Sequence, residues 1–310
     1  MADLAVIIVT WNVRDLVLDA LRTLFTDLDT NGPEADVYVV DSASSDGTTS
    51  AIASAFPRVT LLNSTENLGF AKANNLALHQ IGFGKAEAFN LPRAVYFLNP
   101  DTLTHLGATR ILYDTLLANP KTGLVGARLT YGDGSFQHSA FAFPGLRQLW
   151  VEFFPTPGRL IEGRFNGRYP HHLYESGQPF TVDFTLGATM MLRREVIQQT
   201  GMFDEQFFMY CEEIDWAWRI HKADWNIYCV PSAHVTHLGG QSTAQVRPRS
   251  IINLWTSRLQ LFGKHYPLWK LVLARRMIAV GMCLKMRHAN VSSEVLDAYR
   301  TVHDMALTRI

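Results

Sequence analysis

Leu4-Ala5-Val6-Ile7-Ile8-Val9-Thr10 is the run whose reading decides the fold. It is β-branched and apolar up to its last residue, with no polar residue on either side of the pleat. Such a run reads as a strand covered on both faces. Residues 13–28 follow with apolar side chains at helical spacing, and residues 35–40 form a second apolar strand that ends at Asp41. A polar turn, Ser42-Ala43-Ser44-Ser45-Asp46-Gly47, leads to a helix over 48–56. Residues 59–62 make a third strand, Asn67-Leu68-Gly69 a turn, and 70–80 a helix. Ala94–Leu98 is a fourth strand, closed by Asn99-Pro100-Asp101. Strands alternating with helices at this pitch predict an α/β protein with a mostly parallel sheet. In such sheets a ligand lies beyond the carboxyl ends of the strands. Thr10, Asn12, Asp41, Asn67 and Asp101 occupy those ends.

With 310 residues and 47% hydrophobic side chains, the chain can bury a full core in one large domain, or in a domain with an appendage. The 28 basic and 28 acidic residues cancel, but their placement does not. From Val246 onward there are 11 Lys/Arg against 3 Asp/Glu, a charge of +8, and the preceding 245 residues carry 17 against 25, or −8. An acidic body argues against nucleic-acid binding, and the basic end suits anionic lipid or a partner. Cys211, Cys229 and Cys283 are far apart and form no CxxC pair, so they read as reduced, buried thiols of a cytosolic protein. The chain enters its first strand with no basic region or cleavage site, so no signal peptide is expected. No GxGxxG follows that strand and no Walker sequence occurs, so a phosphate ligand here would need help other than a glycine loop.

A divalent cation is the natural substitute, and Asp101, presented by a strand end and stiffened by Pro100, is the natural ligand. The same Asn99-Pro100-Asp101 is also an ordinary turn sequence. Further on, Phe-Phe-Met-Tyr-Cys-Glu-Glu-Ile-Asp-Trp-Ala-Trp-Arg over 207–219 sets Glu212, Glu213 and Asp215 directly after an aromatic run. Carboxylates at the edge of a packed wall have shifted acidity. Acidic residues also favour a first helical turn, and Asp215 with Arg219 has the spacing of a simple ion pair. Of Trp216 and Trp218, two apart on a helix, at most one faces a cleft. Two short strands, 225–230 and 233–237, flank Pro231 and bring His237 to a strand end before Gly239-Gly240. That setting suits a ligand role as well as a structural one.

Between 131 and 179 the chain is rich in Gly, Pro and aromatic residues and reads as long ordered loops covering a site. Residues 180–192 read as one strand with Gly187 at a bulge or close approach. The end of the chain is amphipathic over 254–266, then strongly apolar over 268–286, yet broken by Lys270, Arg275, Arg276 and Lys285. Two central arginines and no clean apolar run of ~20 residues argue against a membrane span. An interfacial helix on the inner membrane leaflet is one reading. A helical appendage packed on the main domain, or at a homodimer interface, is the other.

Six motifs in order resemble the family 2 glycosyltransferases of the GT-A fold, in particular their bacterial rhamnosyltransferase-like branch in cell-surface polysaccharide synthesis. They are Val6-Ile7-Ile8-Val9-Thr10-Trp11-Asn12; Val39-Val40-Asp41 running to Gly47; Glu66-Asn67-Leu68-Gly69-Phe70-Ala71-Lys72-Ala73-Asn74-Asn75; Phe97-Leu98-Asn99-Pro100-Asp101; Gly187-Ala188; and Gly201-Met202-Phe203-Asp204-Glu205 leading into the acidic stretch. The resemblance covers roughly residues 4–245. It implies a catalytic domain over 1–245, a helical tail over 246–310, and inverting transfer of a sugar from a nucleotide-diphosphate donor to a hydroxyl of a glycan or lipid-linked acceptor. By the same analogy Asp41 contacts the donor base, with Thr10, Asn12 and Asn67 nearby. Asp101, with Asn99 before it, stands at the end of the family's DXD and binds Mg²⁺ or Mn²⁺, and His237 is a second ligand.

Glu213 matches the general base and Glu212 its neighbour, with Asp215 as a competitor, and Lys72 is either a phosphate contact or a solvated helix lysine. Two departures from the family pattern stand out: Asn99 replaces the first DXD carboxylate, and the base is Glu rather than Asp. The branch implies dTDP-rhamnose as donor, with UDP- and GDP-sugars as alternatives. A nucleotidyltransferase would carry a Gly-rich basic loop after the first strand, which Trp11-Asn12-Val13-Arg14 is not. A silent sugar-nucleotide-binding module would have lost Asp101 or the Glu pair.

Overall fold

The alternation along β1 (Leu4–Thr10) divides its side chains between two cores. Leu4, Val6 and Ile8 enter one buried cluster, while Ala5, Ile7 and the partly buried Val9 join another. A computed structural model of the chain describes residues 2–85, 90–239, 247–288 and 291–308, with nothing given for the side chain of His288. Gly240 and the expected boundary at 245–246 lie outside these residues.

Going along the chain, β1 is followed by α1 (Arg14–Asn31), β2 (Ala35–Ser42), α2 (Thr48–Ala55), β3 (Thr60–Ser64), α3 (Gly69–Ile81), β4 (Ala94–Leu98), β5 (Thr102–Thr104), α4 (Ala108–Ala118) and β6 (Thr122–Thr130). Next come β7 (Phe136–Gln137), β8 (Ala140–Phe141), α5 (Leu146–Phe153), α6 (Gly158–Ile161), α7 (His171–Glu175), β9 (Phe180–Thr181), β10 (Phe184–Thr185), β11 (Thr189–Arg193), α8 (Arg194–Thr200), α9 (Glu212–Lys222) and β12 (Asn226–His237). Three helices close the described chain: α10 (Arg247–His265), α11 (Leu268–His288) and α12 (Ser293–Leu307).

The main sheet runs β3-β2-β1-β4-β11-β6-β12-β5. Its first half is parallel, as the apolar runs predict. The second half is mixed, because β11 lies antiparallel to both β4 and β6, while β12 is parallel to β6. Helices cover both faces. On one side α1 buries Val17, Ala20, Leu21, Leu24 and Phe25, a helical stripe facing the β1–β4 core. On the other, α3 and α9 supply Ala77, Leu78, Trp216 and Ile220. The buried Asp27 of α1 accepts hydrogen bonds from the Gly107 and Thr109 N–H groups. It thereby satisfies the N-terminus of α4 from another element.

Three expectations are corrected. Residues 180–192 are not one strand but β9, β10 and β11, and the turn through Gly187-Ala188 has room for a side chain at Gly187. The two strands around Pro231 are a single β12 whose register against β6 shifts between Val230 and His234. A bulge accommodates the missing proline N–H. The stretch 131–179 holds short strands and helices as well as loops.

The tail helices pack on the body. Leu149 of α5 shares a buried cluster with Trp255, Leu259, Phe262, Ile278, Met282 and Val302. No helix among the described residues is long and apolar enough to cross a membrane.

Candidate active site

A cavity of about 270 Å³ opens beyond the carboxyl ends of β1 and β4. Thr10, Asn67, Asn99, Asp101, Gly187, Tyr210, Glu212, Glu213 and His237 line it. Residues from both halves of the sheet meet here, because β12 pairs with β5 and sets His237 opposite Thr102. His237 Nε2 is 3.4 Å from Asp101 Oδ1, and both side chains are buried. His237 Nδ1 lies 3.2 Å from Gln137 Oε1, and with Nδ1–H donating to that amide oxygen Nε2 is left as the acceptor facing Asp101. Asn99 is fixed through its backbone, its N–H donating to Ala188 and its carbonyl accepting from the Thr102 hydroxyl.

The opposite wall is the start of α9. Tyr210 and Cys211 precede it in succession with φ of 71° and 66°, a left-handed conformation that costs non-glycine residues ~1–2 kcal/mol each. Backbone strain of this kind marks places where geometry is imposed. It delivers Glu212 and Glu213 to the cavity from the first helical turn. Burial pushes Glu213 up to about 7, against backbone hydrogen bonds from the helix terminus that favour its charge. Burial, then the neighbouring Glu213, raises Glu212 well above the carboxylate range, and its Oε2 is buried with no partner.

Asp215, one turn on, faces away. Its Oδ1 receives Lys264 and His265 at 2.7 Å each and its Oδ2 receives Arg219 at 3.0 Å. Burial opposes its charge, but hydrogen bonds from His265 and Lys264, with the Arg219 and Lys264 charges, outweigh that and hold it at about 2. A carboxylate so committed is a structural anchor. The ion-pair reading of Asp215 and Arg219 is the one observed.

Asp41 is 2% exposed and lies outside the cavity lining. Its Oδ2 accepts from the Ser44 N–H at 2.9 Å, while Oδ1 is buried without a partner, an acceptor available to a ligand. Asn12, also outside the lining, has φ 52° and ties its turn to the next, its side chain accepting from the Ser45 N–H and its own N–H donating to Ser44 Oγ. Asn67 accepts from the Gly69 N–H at the start of α3. Lys72 is not brought to the cavity. It pairs with Glu66 at 3.2 Å and lines a separate hollow with Ser64 and Glu205, because its position on α3 faces outward. Ser42, Met209 and Tyr210 also line the cavity; they lie inside the quoted stretches 39–47 and 207–219, but nothing in their residue type singled them out.

The cleft at the strand ends, walled by an acidic helix start, belongs to the GT-A glycosyltransferase fold. Two solved structures share it: a mannosyltransferase from Pyrobaculum calidifontis in complex with GDP-Man and Mn²⁺, and GalNAc-T7 with UDP, GalNAc and Mn²⁺. The first has a TM-score of 0.55 and 20% identity, covering 98% of this chain and 84% of that one. The second has a TM-score of 0.59 and 13% identity, covering 98% and 55%. Residues 5–201 match the family model described as Glycosyl transferase family 2, and the chain belongs to that family. It is a glycosyltransferase, which sets aside the nucleotidyltransferase and silent-module readings. An N-acetylglucosaminyl-diphospho-decaprenol L-rhamnosyltransferase of Mycobacterium tuberculosis is 32% identical over 218 residues, 67% of this chain and 68% of that protein.

Proposed function

We propose that this chain transfers a sugar, with inversion, from a nucleotide-diphosphate donor to a hydroxyl of a lipid-linked acceptor, with Glu213 as general base. One observation carries the reading: a carboxylate with acidity near neutrality faces, across one cavity, a buried Asp–His pair at the strand ends. A sugar hydroxyl is a poor nucleophile. Glu213 takes its proton as the hydroxyl oxygen bonds to the anomeric carbon, and the bond from that carbon to the diphosphate oxygen breaks on the opposite face. Burial, then the neighbouring Glu213, holds the Glu212 carboxyl well above the usual range, which disfavours a second charge beside the base. Asp41, through its unpartnered Oδ1, receives a donor N–H from the nucleotide base, with Thr10, Asn12 and Asn67 shaping that end. Asn99 shapes the turn that presents Asp101.

Asp101 and His237 fit a divalent cation, since an oxygen and an imidazole nitrogen approach each other with their free valences toward the cavity. Mg²⁺ or Mn²⁺ bound there would supply Lewis-acid neutralisation of the departing diphosphate. The named substrates of the Mycobacterium relative favour a rhamnosyl donor and a polyprenyl-diphosphate sugar as acceptor.

Glu213→Gln tests the reading. Transfer falls ~10²–10⁴-fold, while binding of the nucleotide-sugar, followed by thermal shift across a dTDP-, UDP- and GDP-sugar panel, is retained. Wild-type turnover in this variant would move the base elsewhere.

We further propose that residues 1–245 form the catalytic unit and that 246–310 hold it to an anionic membrane surface. Trp269, Leu273 and Val280 lie exposed on one face of α11 with Arg276 among them. This is the stripe of an interfacial helix, on the part of the chain that carries +8.

A further inference from the structure

His138, Glu162 and His171, outside the cleft, bring their ligand atoms within 4.8 Å of one another. We propose that these three side chains form a second cation site that takes Zn²⁺ and staples the segment from β7 to α7. Among the described residues no other three His, Cys, Asp or Glu side chains converge in this way.

His138 carries the argument. Its side chain is 9% exposed, Nδ1 has no partner, and Nε2 has only the Glu162 carboxylate, too poorly aligned for a full hydrogen bond. Buried polar nitrogens are almost always satisfied, so a half-satisfied imidazole asks what it binds. Its Nε2 lies 3.4 Å from Glu162 Oε2. Two ligands at ~2.0–2.2 Å from a tetrahedral zinc stand roughly 3.3–3.5 Å apart, so this pair already has the spacing of neighbours on one ion. Glu162 is oriented by Arg168, whose Nη1 takes Oε1 and leaves Oε2 to face His138. Fixing one carboxylate oxygen so that the other can ligate is the usual task of an outer partner. Arg168 acts on His138 as a positive charge, and Glu162 offsets it.

His171 begins α7, packs its ring on Phe136 at 4.1 Å and lies 5.3 Å from the His138 ring. It is solvent-exposed, so a rotamer change that turns it inward meets little resistance. Two imidazoles and one carboxylate with an open fourth position suit zinc rather than Mg²⁺ or Ca²⁺, which prefer shells of oxygen. The ligands come from three separate pieces of the 136–171 segment, which is held by short elements. An ion here cross-links that segment without touching the proposed donor cleft. The site stands whether or not the transferase reading above holds in detail.

The test is Zn²⁺ titration against a chromophoric chelator, with melting temperature followed in parallel, on the full chain. Wild type and Asp101→Asn are each expected to hold one Zn²⁺ that Glu162→Gln and His171→Ala bind at least ten-fold more weakly. Zn²⁺ raises the melting temperature of the first two and not of the last two. Co²⁺ in the same site should give the visible absorption of a tetrahedral centre. Both substitutions are on exposed side chains, so the fold survives them, which circular dichroism verifies. Affinity unchanged in Glu162→Gln and His171→Ala, affinity lost in Asp101→Asn alone, or no zinc retained by wild type each overturns the proposal.

Discussion

Glu213 and Asp215 lie two residues apart on α9, yet their environments drive their acidities in opposite directions. Burial raises Glu213 from the ordinary 4.5 to about 7, so at pH 6 it is largely protonated and cannot accept a proton. The predicted kcat/KM therefore rises with pH and levels off above about 7. Glu213→Gln removes that limb, which a pH–rate profile checks. The same shift has a thermodynamic side. The native state holds this proton more tightly than the unfolded chain, so Glu213 costs stability as pH rises from about 4.5 through about 7. Asp215 works the other way. Its stabilisation is fully present above the ordinary 3.8 and is lost as pH falls through about 2. Asp215→Asn removes the charge shared by Arg219, Lys264 and His265, of which Lys264 keeps Asp204 and Arg219 keeps the Thr200 and Met202 carbonyls, and a loss of about 3 kcal/mol in urea unfolding is expected. The sequence brought these carboxylates together but could not separate their roles. Asp215 and Arg219 have helical spacing, whereas His265 is 50 residues away and invisible to any local reading.

At the level of elements, Gly69 shows what a motif residue does physically. It sits at φ 71°, where a side chain would collide with the Phe208 carbonyl, and the next N–H, that of Phe70, donates to that same carbonyl at 2.9 Å. The contact fastens the start of α3 to the loop that leads into α9, so two walls of the cleft share one hydrogen bond. Gly69→Ala is expected to cost about 2–4 kcal/mol from the left-handed penalty and the clash together. A calorimetric melting curve measures it.

The parallel half of the sheet was legible because β1 and β4 are nearly continuous apolar runs and β2 holds the apolar run 37–40. The mixed half was not. β6 (Thr-Gly-Leu-Val-Gly-Ala-Arg-Leu-Thr) is interrupted by Gly123 and Gly126, which look like loop residues in sequence. In the fold Gly126 is needed because Thr185 packs against its backbone. Pro231 split β12 on paper for a similar reason, since the bulge that absorbs it is set by the partner strand. α12 was not singled out within the expected helical tail, although Ser292 caps it, its side chain accepting from the Val295 N–H, and Val295, Ala298, Val302 and Ala306 form its buried stripe.

At the scale of the whole molecule, the two readings of the tail turn out to be compatible. Its helices pack on α5 and α9, and one face of α11 still carries exposed Trp269, Leu273 and Val280. The 310-residue chain is expected to co-sediment with vesicles containing anionic lipid at low salt. Trp269→Glu with Val280→Glu should reduce the bound fraction several-fold without changing the melting temperature. Unchanged binding, accompanied by a change in sedimentation mass, would assign this face to a second copy of the chain.

The junction between Asp215 and the end of α10 also bears on how the protein is born. A chain leaving the ribosome makes β1 to β12 before Lys264 and His265 exist, and N-terminal units generally fold first. Until those two residues emerge, Arg219 is the one of its three cationic partners that Asp215 can have, and the side of the carboxylate that α10 covers stays open to water. The expected order for the nascent enzyme is a sheet that forms early and an acidic helix that is locked last. Synthesis that stops short of His265 would leave a folded-looking but unlocked body, a natural target for quality-control proteases.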